Sequence, residues 1–422
     1  MKGDDNLDLH KEFIVIDMHN DTMMKLVDEE SWLPFMDLSS DSKNHIDLNK
    51  MKKGNLSVGF FAAYNEPYSG LAQKSLSRTL ALINAMYASE RNNPNNIKIA
   101  SSLNEIGVGL KDNKHIIVPT IEGGYSFTRD NAIDLLYQYH DLKVKAIGLT
   151  WNHSNQLAEG ADSNSSSGLT GIGIELIKHM NKLGMIVDTS HLSESSFYDV
   201  IKHSKSPIIA SHSGAYSLKA HKRNLKDEQL LALKENRGVV GVVLHPGFLS
   251  DNDKVYIKDY VDHIDYIVNL IGIDHVAMGS DFDGASIPVD LEDASQIYKI
   301  TQELDKRGYS KEDIQKFLGK NVLRIIDEVE ILGEKIEESG LEIIPRIDEE
   351  LSAIVDNPSL IDKEKIRVIL NGREEKFRYD EDEGVIYADG SNINKEKFQV
   401  VTFEIRDREG LVKRNTIIIY IG

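Results

Sequence analysis

The first apolar run of the chain, Phe13-Ile-Val-Ile-Asp-Met-His19-Asn-Asp21, ends with an imidazole and a carboxylate two residues apart. On a strand, positions i and i+2 share a face, so His19 and Asp21 point together into the space that this strand end lines. Four later apolar runs end in groups of the same kind. Ile116-Ile-Val-Pro-Thr-Ile-Glu122 delivers a carboxylate, Met185-Ile-Val-Asp-Thr-Ser-His191 and Pro207-Ile-Ile-Ala-Ser-His212 each deliver an imidazole, and His275-Val-Ala-Met-Gly-Ser-Asp281 delivers another carboxylate. One buried histidine is usually a satisfied core residue, but the same polar terminus on strand after strand is hard to explain by packing. His19, Asp21, Glu122, His191 and His212 make a set of three imidazoles and two carboxylates, which suits two zinc ions bridged by one carboxylate. Two divalent ions roughly 3.5–4 Å apart clamp a hydroxide and polarise a carbonyl, so hydrolysis of an amide or ester is the natural task. Asp281 is then free to shuttle a proton from the attacking water to the leaving nitrogen.

Such a set needs a scaffold that presents several strand ends to one place. From residue 13 to about 325, short β-branched runs alternate with stretches of helical period, the pattern of a parallel sheet with crossover helices. The strand candidates are 13–18, 57–63, 115–121, 144–150, 185–189, 207–211, 238–244 and 275–280. Helix candidates lie at 71–91, 131–141, 172–183, 194–203, 227–236, 257–271, 292–307 and 311–329, with Ser193 and Ser310 placed as N-caps. Eight strand-helix units predict a closed (β/α)8 TIM barrel, whose active site lies at the C-terminal ends of the strands, where these polar residues fall. An open doubly wound sheet would gather its ligands at one switch point.

Beyond about residue 330 the texture changes to period-two alternation. Ile366-Arg-Val-Ile-Leu-Asn-Gly-Arg373 reads as a strand entering a turn, and residues 400–420 read as a long hairpin turning at Asp407 to Gly410. The prediction is a barrel over 1–332 and a small all-β sandwich over 340–422, the latter resembling the immunoglobulin-like modules found at bacterial protein C-termini.

Composition narrows the chemistry. The formal charge of −19 argues against nucleic acid and against an anionic membrane surface, both of which would be repelled. With no cysteine among 422 residues, a metal site must use nitrogen and oxygen ligands. The polar N-terminus and the lack of any run near the ~20 apolar residues of a membrane span predict a soluble cytoplasmic protein. Gly171-Ile-Gly173 is followed by Leu176 where a dinucleotide fingerprint needs a small residue, and neither a serine-hydrolase elbow nor a phosphate-binding Gly-Lys-Ser/Thr loop is present. Two further groups are assigned local roles: His245 a structural one at the Pro246 turn, and Asp283 either a turn cap or a brace for Asp281.

Taken together, Asp17-Met-His19-Asn-Asp21, Ile121-Glu122-Gly-Gly, Asp188-Thr-Ser-His191, Ser211-His212-Ser-Gly-Ala-Tyr216, Arg223-Asn-Leu and Gly279-Ser-Asp281-Phe-Asp283-Gly resemble the renal (membrane) dipeptidases of the metal-dependent amidohydrolase superfamily, over about residues 12–328. The resemblance implies one zinc ion on His19, Asp21 and Glu122, and a second on Glu122, His191 and His212. It implies Arg223 as the ligand of the substrate's terminal carboxylate, Asp281 as a substrate-contacting proton-transfer acid and base, and homodimers, in which family members often pair. The family's oxyanion-stabilising, substrate-side histidine follows Leu-Thr, whereas this chain reads Leu149-Thr-Trp151-Asn-His153. Trp151 occupies the position without a gap, and a short local shift lets His153 serve as this catalytic and substrate-binding group.

The expectation is a binuclear zinc dipeptidase cleaving dipeptides, L,L and, by the resemblance, L,D. The rivals are another amidohydrolase, such as an N-acyl-amino-acid hydrolase, lactonase or deaminase, and a non-catalytic binding protein with structural metals. Arg223 separates the first rival, because carboxylate recognition requires it. Asp281 separates the second, because a structural scaffold has no need of a metal-free carboxylate at the site.

Overall fold

Runs buried on both faces form parallel strands that need helices on the outside. In the computed structural model, which describes residues 10–68, 71–335, 337–347 and 350–422, eight such strands close a barrel. They are β1 (Val15–Asn20), β2 (Leu56–Tyr64), β4 (His115–Glu122), β5 (Ala146–Gly148), β6 (Ile186–Asp188), β7 (Ile209–Ser213), β8 (Val239–Val242) and β9 (Val276–Met278), hydrogen-bonded in that order and all parallel. A short β3 (Ile97–Ile99), absent from the sequence reading, pairs only with the start of β4. The ring closes beyond β9, where the Asp281 N–H donates to the His19 carbonyl at 3.0 Å and the Asp21 N–H to the Phe282 carbonyl at 2.9 Å. Among the described residues no helix is long and apolar enough to cross a membrane.

The barrel interior is a row of alternate residues, among them Ile16, Met18, Val58, Phe60, Ile116 and Val118. Its lower end is plugged by Val322, Ile325, Ile326 and Val329, the i, i+3, i+4, i+7 face of the helix Asn321–Leu332. The intervening residues face the outer helices in the main core. Ser193 and Ser310 cap their helices as predicted, accepting from the N–H groups of Ser196 and Asp313.

The remaining strands make two four-stranded antiparallel sheets. One contains β10 (Ile343–Ile347), β11 (Leu351–Val355), β14 (Phe377–Asp380) and β15 (Val385–Ala388), in the order β10-β11-β15-β14. The other contains β12 (Arg367–Leu370), β13 (Arg373–Glu375), β16 (Phe398–Arg406) and β17 (Val412–Tyr420), in the order β13-β12-β16-β17. The predicted hairpin is β16–β17, and its turn is fixed by Asp407, whose carboxylate accepts from the N–H groups of Glu409 and Leu411. Strand β16 is not half-exposed, as alternation alone suggests. Val401, Phe403 and Ile405 enter the core between the two sheets, while Phe398 and Val400 join the core of the barrel.

Candidate metal centre

Strand ends bring His19, Asp21, Glu122, His191 and His212 to one place above the barrel, and two of these sites required a break in regular pairing. Ile16 and Met18 point inward, so plain alternation would turn His19 outward. The pairing of β1 with β2 shifts register between Asp17 and Asn20, which re-aims His19 over the mouth. His212 on β7 is likewise out of phase with the interior Ile209, and the β7–β8 pairing shifts between Ala210 and Ser213. Glu122 continues the inward row of Ile116 and Val118 without a break. His191 and Asp281 both adopt left-handed backbone conformations, φ 67° and 61°, unusual for residues bearing a Cβ and typical of functional loops.

Both later histidines have one ring nitrogen committed. His191 Nδ1 bonds Asn152 Oδ1 at 2.7 Å, and His212 Nδ1 bonds Ser211 Oγ at 2.9 Å. The Ser211 hydroxyl in turn donates to Asp188 at 2.5 Å. Each Nδ1 therefore carries its proton, and each Nε2 presents a lone pair. These two Nε2 atoms lie 2.9 Å apart, with Glu122 Oε1 2.8 Å from His191 and 3.6 Å from His212. Facing lone pairs beside a carboxylate call for a cation between them. On the other side of Glu122, His19 Nε2 lies 3.5 Å from Asp21, 3.5 Å from Glu122 and 3.9 Å from Asp281. His19 Nε2 and Asp21 Oδ1 are both buried without a hydrogen-bond partner. The donor set thus fits divalent ions with nitrogen and oxygen ligands. Groups converging within 4.8 Å include His19, Glu122 and His212, and also His19, Asp21 and Asp281.

Ionisation within the cluster tells the same story. Burial opposes charge on His19, yet Glu122 and Asp21 outweigh it and hold its pKa well above the imidazole range. Burial, with Arg223 adding to it, pushes His191 down to about 3, and burial with His19 and Arg223 pushes His212 well below its usual range. Burial, reinforced by Asp21 and Glu122, raises Asp281 well above the carboxylate range.

A cavity of about 450 Å³ opens over the cluster, lined on its other walls by Tyr64, Trp151, Asn152, Arg223, His245 and Phe248 among others. Arg223 is only 4% exposed; its Nη2 donates to the His212 carbonyl at 3.1 Å, and its Nε, also buried, has no partner. Asp281 reaches the cavity as well, whereas His153 does not line it. The His153 imidazole is 55% exposed, meets the Trp151 ring edge-on at 5.9 Å and faces Asp162 at 4.0 Å, while its backbone carbonyl accepts from Tyr125. Trp151 and Asn152 line this wall of the cavity. His245 lines the cavity in addition to accepting the Gly247 N–H at its turn. Asp283 braces neighbouring loops, accepting from the Thr22 hydroxyl at 2.7 Å and the His45 N–H at 2.6 Å. Asp188 and Ser211 were legible as parts of motifs, but their support of His212 was not.

A family model described as membrane dipeptidase (peptidase family M19) matches residues 4–340. Dipeptidase aclJ of Aspergillus oryzae is 34% identical over 299 residues, covering 68% of this chain and 70% of that protein. Dipeptidase verJ of Clonostachys rogersoniana is 30% identical over 370 residues, covering 82% and 93%. Among solved structures, a metallopeptidase from Rhodobacter sphaeroides, liganded with a phosphinate mimic of L-Ala-D-Ala, aligns with a TM-score of 0.68 at 26% identity, covering 75% of this chain and 99% of that one. The probable dipeptidase PvdM from Pseudomonas aeruginosa aligns with a TM-score of 0.71 at 24% identity, covering 79% and 100%, a likeness of fold.

Proposed function

The chain belongs to the membrane dipeptidase (M19) family of metallopeptidases, and from that premise we propose that it is a binuclear zinc dipeptidase that accepts both L,L and L,D dipeptides. The observation that carries the reading is the meeting of two unprotonated Nε2 atoms, 2.9 Å apart, on the Glu122 carboxylate. His19, Asp21 and Glu122 would hold one ion, and Glu122, His191 and His212 the other. Ions bound there supply Lewis-acid polarisation of a carbonyl and acidify water.

The chain's own residues do the rest. Arg223, buried and with an unpartnered Nε, grips the substrate's terminal carboxylate and sets the length of peptide that fits. Asp281 accepts the proton of the attacking water at its carboxylate and returns it to the departing amine. The grip of Arg223 on the terminal carboxylate is a contact that either hand of the C-terminal residue can make, which supports tolerance of both. The R. sphaeroides relative's L-Ala-D-Ala mimic is consistent with that tolerance.

The test is release of free amino acids from L,L and L,D dipeptides by protein stripped of metal and titrated with zinc. Activity should return as about two equivalents bind. Tight uptake of two ions without cleavage of any dipeptide would move the substrate elsewhere in the amidohydrolase superfamily, and an absolute L,L preference would remove the stereochemical part.

A further inference from the structure

Away from the metal cluster, the polar side chains on the cavity wall are donors in excess of what one carboxylate needs. The cavity's carboxylates, Asp21, Glu122 and Asp281, all sit with the clustered histidines, whereas the opposite wall carries Arg223, Lys222, His221 and His245. Lys222 pairs with Asp162, which lies outside the cavity lining. His221 and His245 each pack on Phe248, with ring centroids 4.4 Å away in both cases, and the Arg223 guanidinium lies 5.7 Å from the same ring. Phe248 therefore gathers one cation and two imidazoles into a single wall.

The tautomers of the two imidazoles follow from their turns. His221 Nδ1 accepts the Arg223 N–H at 3.2 Å, and His245 Nδ1 accepts the Gly247 N–H at 3.2 Å. An Nδ1 that accepts carries no proton, so each ring is a donor at Nε2. Neither Nε2 has a partner among the described residues. Burial, with the charge of Arg223 adding to it, holds both rings neutral near pH 7, as directional N–H donors. The guanidinium of Arg223, with a free Nε, already provides a fork for one carboxylate. Two N–H donors then remain for a second acceptor.

We propose that His221 and His245, gathered by Phe248 beside Arg223, form a subsite for a second anionic group, the side-chain carboxylate of a C-terminal Asp or Glu. The preferred substrates are then dipeptides ending in an acidic residue. This deepens the dipeptidase reading and rests on it.

Matched pairs test it with the zinc-loaded full chain: Ala-Asp against Ala-Asn, Ala-Glu against Ala-Gln, and Ala-Ala as reference. The kcat/KM for the acid should exceed that for its amide by about 10- to 100-fold, the range for a hydrogen bond to a charged group. His221→Asn and His245→Asn keep an oxygen acceptor at the δ position for the turn but remove the ε donor, and each should move the acid-to-amide ratio towards one. Cleavage of Ala-Ala with a ratio near one in the unaltered protein would overturn the subsite and leave the dipeptidase standing. A ratio unchanged in both variants would also overturn it, assigning the preference to Arg223 or Lys222. Failure to cleave any dipeptide would overturn the dipeptidase reading and the subsite together.

Discussion

His212 is held by a chain of donors that begins at a carboxylate it never touches. Asp188 accepts the Ser211 hydroxyl and the N–H groups of Ser190 and Ser211, and Ser211 fixes the His212 tautomer. Asp188→Asn places an amide among these donors, so zinc affinity should fall about 10- to 100-fold, measured by competition with a chelator, while the fold remains. Asp281 differs in kind, because its proposed work is proton transfer: Asp281→Asn should lower kcat about 10²- to 10⁴-fold with zinc uptake retained. An equal loss of zinc would instead make it a ligand. A third residue governs stability against pH. His263, buried behind the loop that carries Arg223, accepts the Ala215 N–H at Nδ1 and donates from Nε2 to the Leu249 carbonyl, both at 3.0 Å. Burial lowers its pKa below the ordinary 6.5, and the nearby Asp262 and Asp259 offset this only in part. The unfolded chain therefore takes up this proton first as the pH falls. The contribution of His263 is complete above about pH 6.5 and is lost as the pH drops from there towards the lowered value. In urea melts, the difference between the wild type and His263→Gln should shrink below pH 6.5; a constant difference would show that the ring takes up its proton equally in the folded and unfolded chains.

Elements place these residues through small departures from regularity. Gly241 and Gly279 let β7, β8 and β9 approach closely, and a Cβ at either would collide with the Ser211 carbonyl, two residues before Asp281 in the case of Gly279. Gly279→Ala should destabilise the protein by about 3 kcal/mol or more, since backbone must move to admit the methyl. A chemical-unfolding midpoint within error of wild type would mean that the strands separate easily. The eight strands were legible because barrel strands, buried on both faces, read as uninterrupted apolar runs. The convergence of these donors was legible because each run ends in a polar group. The register shifts in β1 and β7 were not, since a bulge leaves composition unchanged while reversing which face a residue takes. Nor was the wide turn Lys316–Lys320 inside the predicted helix 311–329, where a side chain at Gly319 would strike the Ile14 carbonyl. The segment 151–153 shows the same limit: which of Trp151 and His153 faces the cavity is decided by loop hydrogen bonds, including that of Tyr125 to the His153 carbonyl, and not by residue type.

At the scale of the molecule, the antiparallel sheets share a core with the barrel and clamp two of its helices. Gln138, on the helix Ala132–Asp141 that follows Glu122, donates to the Ile369 carbonyl and Thr402 hydroxyl, both at 3.0 Å, and accepts the Gly372 N–H at 2.7 Å. Arg367 pairs with Asp134 and Arg414 with Asp141 on the same helix. The helix Ala72–Asn92, which follows Tyr64, is held where its Ser77 hydroxyl accepts the Phe398 N–H at 2.8 Å. The strand-helix units that bear Glu122 and Tyr64 are thus braced by the β region. Gln138→Ala removes three hydrogen bonds and opens a void, so it should cost about 3 kcal/mol or more, with barrel and sheets still unfolding in a single transition. Truncation after Leu332 strips Phe398 and Val400 from the barrel's core and uncovers Gln138. The shortened chain should aggregate or melt well below the full chain. If it instead kept the full chain's Tm and bound zinc equally well, the shared core would be incidental, and the sheets would need a role at the cavity mouth or in partner contact to explain their attachment.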